Sequence, residues 1–183
     1  ELALKKAREV DADLVMATDP DSDRVGVAVK DLKGEIRLLN GNQTAALLIY
    51  YLISAWKEKG LLKGREYICK TIVTTDLLNK MADDYGVEHF DVLTGFKFIA
   101  DVMKKMEGKM QFIGGGEESY GYLAGEFVRD KDAVMSCALI AEVTAWAKDQ
   151  RKSLFDILLD IYLKYGCYLE SLLSVARKGI EGA

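Results

Sequence analysis

YICKTIVTTDLLNKMADDYGVEHFDVLTGFKFIADVMKKMEGKMQFI, residues 67–113, alternates short apolar runs with longer amphipathic ones. Residues 67–73 read as a strand, 76–85 as a helix stopped by Gly86, and 88–93 as a second strand. Residues 96–106 then read as a helix ended by Gly108, and 111–113 as a third short strand. Strands separated by helices of about 10 residues or more argue for parallel βαβ units, hence an α/β fold.

On the N-terminal side, residues 1–10 read as a helix with Leu2, Leu4, Ala7 and Val10 set among basic residues. Residues 14–17 form a short apolar run, as expected of a buried strand, and 25–29 form another. Residues 36–39 return as a hairpin across Asp31-Leu32-Lys33-Gly34. A long helix fits 43–58, with Asn42 as its cap and Gly60 at its C-terminal end. Residues 60–66 (GLLKGRE) hold two glycines, three charges and no period, which makes them the candidate boundary between two units, 1–62 and 63–183. On the C-terminal side, 132–148 and 154–165 read as helices, the second opened by a Ser153 and Asp156 cap.

Composition narrows the function classes. The 183 residues are 50% hydrophobic and 30% charged, which excludes intrinsic disorder. With 25 Lys and Arg against 29 Asp and Glu, the net charge is −4, unlike a nucleic-acid coat or a polybasic membrane binder. The longest apolar run, 45–53, is half the ~18 residues that a membrane helix needs. The start, ELALKK, has no signal-peptide core. Cys69, Cys137 and Cys167 are odd in number and far apart, which fits reduced thiols in a cytosol.

Chemistry concentrates in Thr18-Asp19-Pro20-Asp21-Ser22-Asp23-Arg24, directly after a strand. Carboxylates at Asp19, Asp21 and Asp23 converge on one point and repel unless a cation sits among them. An all-oxygen set selects Mg²⁺ or Ca²⁺ over zinc. An EF-hand would need Gly and Glu where Arg24 and Lys30 stand, so that motif is excluded. Arg24 suits phosphate, whose oxygens match its forked donors. A strand followed by Asp-x-Asp also suits a haloacid-dehalogenase-type phosphatase with Asp19 as nucleophile, and a solvated acidic turn is the bland reading.

A second cluster is Gly114-Gly115-Gly116-Glu117-Glu118-Ser119-Tyr120-Gly121, with four glycines in eight residues. It reads as a rigid loop whose carboxylates and hydroxyl suit vicinal sugar hydroxyls; a flexible acidic turn is the alternative. Arg129-Asp130-Lys131-Asp132 precedes a helix and by itself reads as an aspartate cap (Asp130 or Asp132) with solvated charges, ahead of an anion site formed by Arg129 and Lys131. Thr94-Gly95-Phe96-Lys97 opens another helix whose N-terminus could face an anion. His89, the single histidine, reads as structural.

Taken in order, TDPDSDR (18–24), LTGFKFI (93–99), GEESYG (116–121) and RDKD (129–132) resemble the α-D-phosphohexomutase family, the phosphoglucomutases and phosphomannomutases, and in wording the former. The resemblance implies three-layer α/β/α domains, one partial and one essentially complete. Residues 1–62 would be the later part of the second domain, carrying the metal loop; 63–183 would be the third, carrying the sugar loop and the start of a linker to the fourth. It implies Mg²⁺ on Asp19, Asp21 and Asp23, with Arg24 and Lys131 at the reacting centre. Glu117 and Ser119 would bind sugar hydroxyls, while Thr94, Gly95 and Lys97 would line the sugar side.

The family's reaction passes a phosphoryl group from a phosphoserine to glucose 1-phosphate and takes the other phosphate back from the bisphosphate, releasing glucose 6-phosphate. The serine loop lies in the first domain and the main phosphate loop in the fourth. Neither a Thr-Ala-Ser-His nor a Ser-His-Asn-Pro segment occurs in this chain. The resemblance therefore implies a cytoplasmic enzyme fragment, inactive alone, whose partners are hexose phosphate, hexose bisphosphate and domains one and four, not nucleic acid or membrane. A mannose or pentose phosphate mutase, a stand-alone phosphatase and a non-catalytic sugar-phosphate-binding module stay open as alternatives.

Overall fold

The computed structural model describes residues 2–171 and 173, so the far end of the expected linker lies outside the described residues. The elements in order are α1 (Leu2–Glu9), β1 (Leu14–Thr18), β2 (Val25–Lys30), β3 (Ile36–Leu39), α2 (Gly41–Glu58), β4 (Glu66–Thr71) and α3 (Leu77–Tyr85). They continue with β5 (Glu88–Val92), α4 (Phe96–Met106), β6 (Gln111–Glu117), β7 (Gly121–Ala124), α5 (Ala133–Asp149) and α6 (Leu154–Tyr165).

β1, β2 and β3 make an antiparallel meander, with Leu14 opposite Val29 and Val27 opposite Leu39. The connections between these strands are too short for the crossover that parallel pairing requires, so the βαβ expectation does not extend to this sheet. β1 is an edge strand and only half-covered, with Ala17 and Thr18 exposed, whereas the central β2 buries Val25, Val27, Ala28 and Val29.

The second sheet has the order β5-β4-β6-β7. β4 runs parallel to β5 and β6 through the crossovers α3 and α4, and β6 turns back into β7 as an antiparallel hairpin. Side chains of β4 alternate across the sheet, as the pleat demands. Ile68 joins a cluster with Leu48, Ile49 and Ile53 of α2, Leu78 of α3 and Ile157 of α6. Tyr67 and Cys69 join Phe96, Ile99 and Met103 of α4 on the opposite face. That is the expected three-layer α/β/α arrangement. Cys69, Cys137 and Cys167 are free, and burial pushes the Cys69 thiol up to about 12.

Two expectations change here. β6 does not stop at residue 113 but continues through the glycines to Glu117, and β7 was not anticipated. None of Gly114, Gly115 or Gly116 has a positive φ; they permit close approach instead. A Cβ on Gly115 would lie 1.9 Å from the Cys69 carbonyl oxygen, and one on Gly116 2.5 Å from that of Gly121.

The other change is the cap of α2. Asn40, not Asn42, closes it: its side chain accepts from the Gln43 N–H at 2.8 Å, and Gln43 Oε1 accepts from the Asn40 N–H at 3.0 Å. The reciprocal box needs Gln three residues beyond the cap, which only Asn40 has. Asn42 instead accepts from the Thr75 N–H at 3.0 Å. Asn40→Ala is expected to lower stability by about 1 kcal/mol in urea denaturation, the usual value of an N-cap.

α2 packs on β6, α3 and α6, and one buried cluster runs from Val27 through Leu48 to Ile68. Residues 60–66 join α2 to β4, and both elements contribute side chains to that one cluster. Among the described residues no helix is long and apolar enough to cross a membrane.

Candidate active site

The β1–β2 connection folds around Asp19. Its Oδ1 accepts the N–H groups of Asp23 and Arg24 at 3.1 and 3.0 Å, and its carbonyl accepts from Ser22 N–H at 3.1 Å. Ser22 makes the turn with φ 58. The hydrogen bond from the Arg24 backbone, helped by that from Asp23, holds the Asp19 carboxyl below its ordinary range. Carboxylate oxygens of Asp19, Asp21 and Asp23 lie within 4.8 Å of one another. Asp23 Oδ1 is buried with no hydrogen-bond partner. Arg24 Nε stands 3.9 Å from that oxygen, outside hydrogen-bond reach; three converging carboxylates with one such oxygen fit a hard, oxygen-bound cation such as Mg²⁺.

The hairpin turn between β6 and β7 carries the second group. Glu117 is buried at the end of β6, and its Oε1 accepts the Gly95 N–H at 2.8 Å, which fastens the start of α4 beside it. Gly95 has φ 119, a conformation that favours glycine. Ser119 is half-buried on the turn; Thr94 and Lys97 are exposed, and Lys97 Nζ lies 5.0 Å from the Phe98 ring centroid. Of the expected sugar-side residues, Glu117 and Gly95 are therefore in direct contact, while Thr94 and Lys97 stand at the rim.

Lys131 joins the two groups. Its Nζ lies 3.1 Å from Asp23 Oδ2, 3.4 Å from Asp130 Oδ1 and 5.5 Å from the Phe96 ring centroid. Its stem lies over Gly121, where a Cβ would come within 2.1 Å of Lys131 Cδ. Burial draws the Lys131 pKa down, but the hydrogen bond to Asp23 and the Asp130 charge outweigh it and the net shift is upward. The backbone ties the loops as well: Val25 N–H donates to the Tyr120 carbonyl at 3.1 Å, and Ala133 N–H to that of Ser22 at 3.0 Å. Tyr120, with φ 73, lines an open cleft of ≈ 330 Å³ together with Thr18, Asp19 and Arg24.

Other residues of these motifs serve the fold. Arg129 pairs with Glu107 at 2.9 Å, His89 lies 3.3 Å from Asp83, and Asp132 caps α5 through the Met135 N–H at 2.9 Å. Sequence reasoning missed Glu118 and Lys70, both bound to the loop after β4. A lone lysine within the apolar run 67–73 was the one available signal.

Comparison with known proteins agrees with this layout. The family profile described as phosphoglucomutase/phosphomannomutase, alpha/beta/alpha domain III matches residues 40–165. A phosphoglucomutase of Staphylococcus aureus (strain MRSA252) is 41% identical over 180 residues, 98% of this chain and 32% of the relative. The chain thus spans about a third of the length of the curated relatives it matches. Among solved structures, the Paramecium phosphoprotein pp63/parafusin (phosphoglucomutase), open form, superposes with TM-score 0.67 at 19% identity, over 91% of this chain and 27% of that one. An Aspergillus fumigatus N-acetylphosphoglucosamine mutase in complex with glucose 1,6-bisphosphate gives TM-score 0.59 at 12% identity, over 81% and 32%; at such identities the likeness is one of fold. The profile match over residues 40–165 and the identity to the staphylococcal enzyme place this chain in the phosphoglucomutase/phosphomannomutase family.

Proposed function

We propose that this chain is a segment of a phosphoglucomutase that interconverts glucose 1-phosphate and glucose 6-phosphate, contributing a Mg²⁺ clamp and a reader of sugar hydroxyls. The observation that carries the reading is the Lys131–Asp23 contact of 3.1 Å, which joins the aspartate loop to the hairpin turn that carries Glu117 and Ser119. The identity to the staphylococcal phosphoglucomutase supports glucose over other sugars. The profile match from residue 40 and the packing of α2 on β6 support counting α2 with the unit that carries the hydroxyl reader, ahead of the expected boundary at 62/63.

Asp19, Asp21 and Asp23 would hold Mg²⁺, which when bound supplies charge neutralisation at a transferring phosphoryl group. Arg24 orients phosphate oxygens through its forked donors. Glu117 and Ser119 accept and donate hydrogen bonds to ring hydroxyls, and Lys131 offers positive charge to phosphate. Thr94, Gly95 and Lys97 border the sugar. The reactive phosphoserine and the main phosphate loop belong to other domains of the complete enzyme, which acts in the cytoplasm.

The test is a coupled assay for glucose 6-phosphate. The complete protein is expected to turn over glucose 1-phosphate, and residues 1–183 alone to show no turnover, with or without glucose 1,6-bisphosphate. Isomerisation by the 183-residue chain contradicts the proposal, and phosphate release by it points to the phosphatase alternative.

A further inference from the structure

Glu118 lies between the two hydroxyl-reading residues of the turn, yet its side chain faces the protein. Its Oε2 accepts from Thr71 Oγ1 at 3.2 Å and from Thr74 Oγ1 at 3.1 Å, and its own N–H donates to Thr74 Oγ1 at 3.2 Å. The two hydroxyls lie 2.7 Å apart, and both threonines are buried. Two hydroxyl protons serve three oxygen contacts, so at any instant one threonine relays its hydrogen bond through the other or both point at the carboxylate. Either way Glu118 fixes the turn at two points, through its side chain and through its backbone.

The loop that holds it is itself held. The Lys70 side chain is 1% exposed; its Nζ donates to the carbonyls of Thr71 (3.4 Å) and Thr74 (3.1 Å) and to Asp76 Oδ1 (3.0 Å), and it pairs with Asp91 Oδ1 at 3.3 Å. On its other side the turn meets α2: a Cβ on Gly41 would lie 1.7 Å from the Glu118 carbonyl oxygen.

We propose that Thr71, Thr74 and Glu118 are positioning residues that fix Glu117 and Ser119 at the spacing a sugar ring requires, so that this clamp sets affinity for the hexose phosphate. This rests on the reading of Glu117 and Ser119 given above. A turn with one anchor removed samples more orientations, and the bound state must then order it, which weakens substrate binding without touching the transferring phosphate.

The test uses the complete enzyme. Thr74→Val keeps the shape and removes the hydroxyl; it is expected to raise KM for glucose 1-phosphate about tenfold, the size of one lost buried hydrogen bond, with little change in kcat. Thr74→Ser restores the hydroxyl and is expected to restore KM. A purely structural role would lower the melting temperature and the active fraction, hence apparent kcat, while leaving KM in place. Should Thr74→Val fail to fold, Thr71→Val, which removes the other hydroxyl that donates to Glu118, is expected to raise KM likewise. Glu117→Gln and Ser119→Ala are the controls. If these raise KM but Thr74→Val and Thr71→Val do not, the clamp proposal is overturned. If the controls also leave KM unchanged, the hydroxyl-reading assignment fails and the clamp's role falls with it.

Discussion

Replacing Asp23 by alanine in the complete enzyme is expected to lower kcat with glucose 1-phosphate by about 10²–10³-fold, the range seen when one preorganised charge-stabilising contact is removed. Asp23 has two duties in this structure. Its Oδ1 is buried without a hydrogen-bond donor, with Arg24 Nε at 3.9 Å, and is free to take a cation, while Oδ2 holds Lys131 at 3.1 Å. Alanine removes both at once, leaving Asp19 and Asp21 as a weaker ligand pair and Lys131 with Asp130 alone. The loop itself should persist, because its closing bonds run to Asp19 Oδ1 and not to Asp23's side chain. Steady-state kinetics across Mg²⁺ concentrations, with circular dichroism as the fold control, checks this. A kcat within a few-fold of wild type would remove Asp23 from the cation clamp.

Gly115→Ala is expected to lower stability strongly. The added Cβ would stand 1.9 Å from the Cys69 carbonyl oxygen, and main-chain atoms in the middle of paired strands cannot move aside as a side-chain end can. β4 and β6 would have to separate where both clusters of the core meet the sheet. The expected loss is about 3 kcal/mol or more, at the upper end for overpacking. Gly34→Ala is the useful contrast: its φ of 79 is unfavourable for alanine, but nothing lies within 4 Å, so about 1 kcal/mol is expected. Urea denaturation of both variants gives the comparison. Equal losses would mean that strand crowding is not what glycine relieves at position 115.

The elements that matched their reading did so for local reasons. α4 and α6 begin and end where expected because Gly95, Gly108 and the Ser153–Asp156 box act within a few residues. Asn40 and Asn42 are both capping types, and only Gln43 decides between them. The second half of β6 was hidden because three glycines read as a loop; the neighbour that requires glycine at 115, the Cys69 backbone of β4, is distant in sequence, while Gly116 is crowded by Gly121 of β7. The antiparallel β2–β3 hairpin was legible from its turn at Asp31-Leu32-Lys33-Gly34, whereas the pairing of β1 with β2 across the aspartate loop was not read.

The site divides the same way. TDPDSDR carries its chemistry in one loop, so Asp19, Asp21 and Asp23 were legible as a converging set. The clamp on Glu118 was not: Thr74 is 44 residues away, and the two meet through the parallel register of β4 and β6. No pattern of residue types announces such a pair.

The most direct test is a Mg²⁺ titration of the complete protein after a chelator has stripped it, following conversion of glucose 1-phosphate to glucose 6-phosphate. The predicted result is loss of turnover on stripping and recovery with added Mg²⁺, with Asp23→Ala needing more Mg²⁺ and reaching a lower plateau. Ser119→Ala should keep the Mg²⁺ dependence and show a raised KM. Undiminished turnover after stripping, or release of phosphate without glucose 6-phosphate, would contradict the pairing of a cation clamp with a sugar reader.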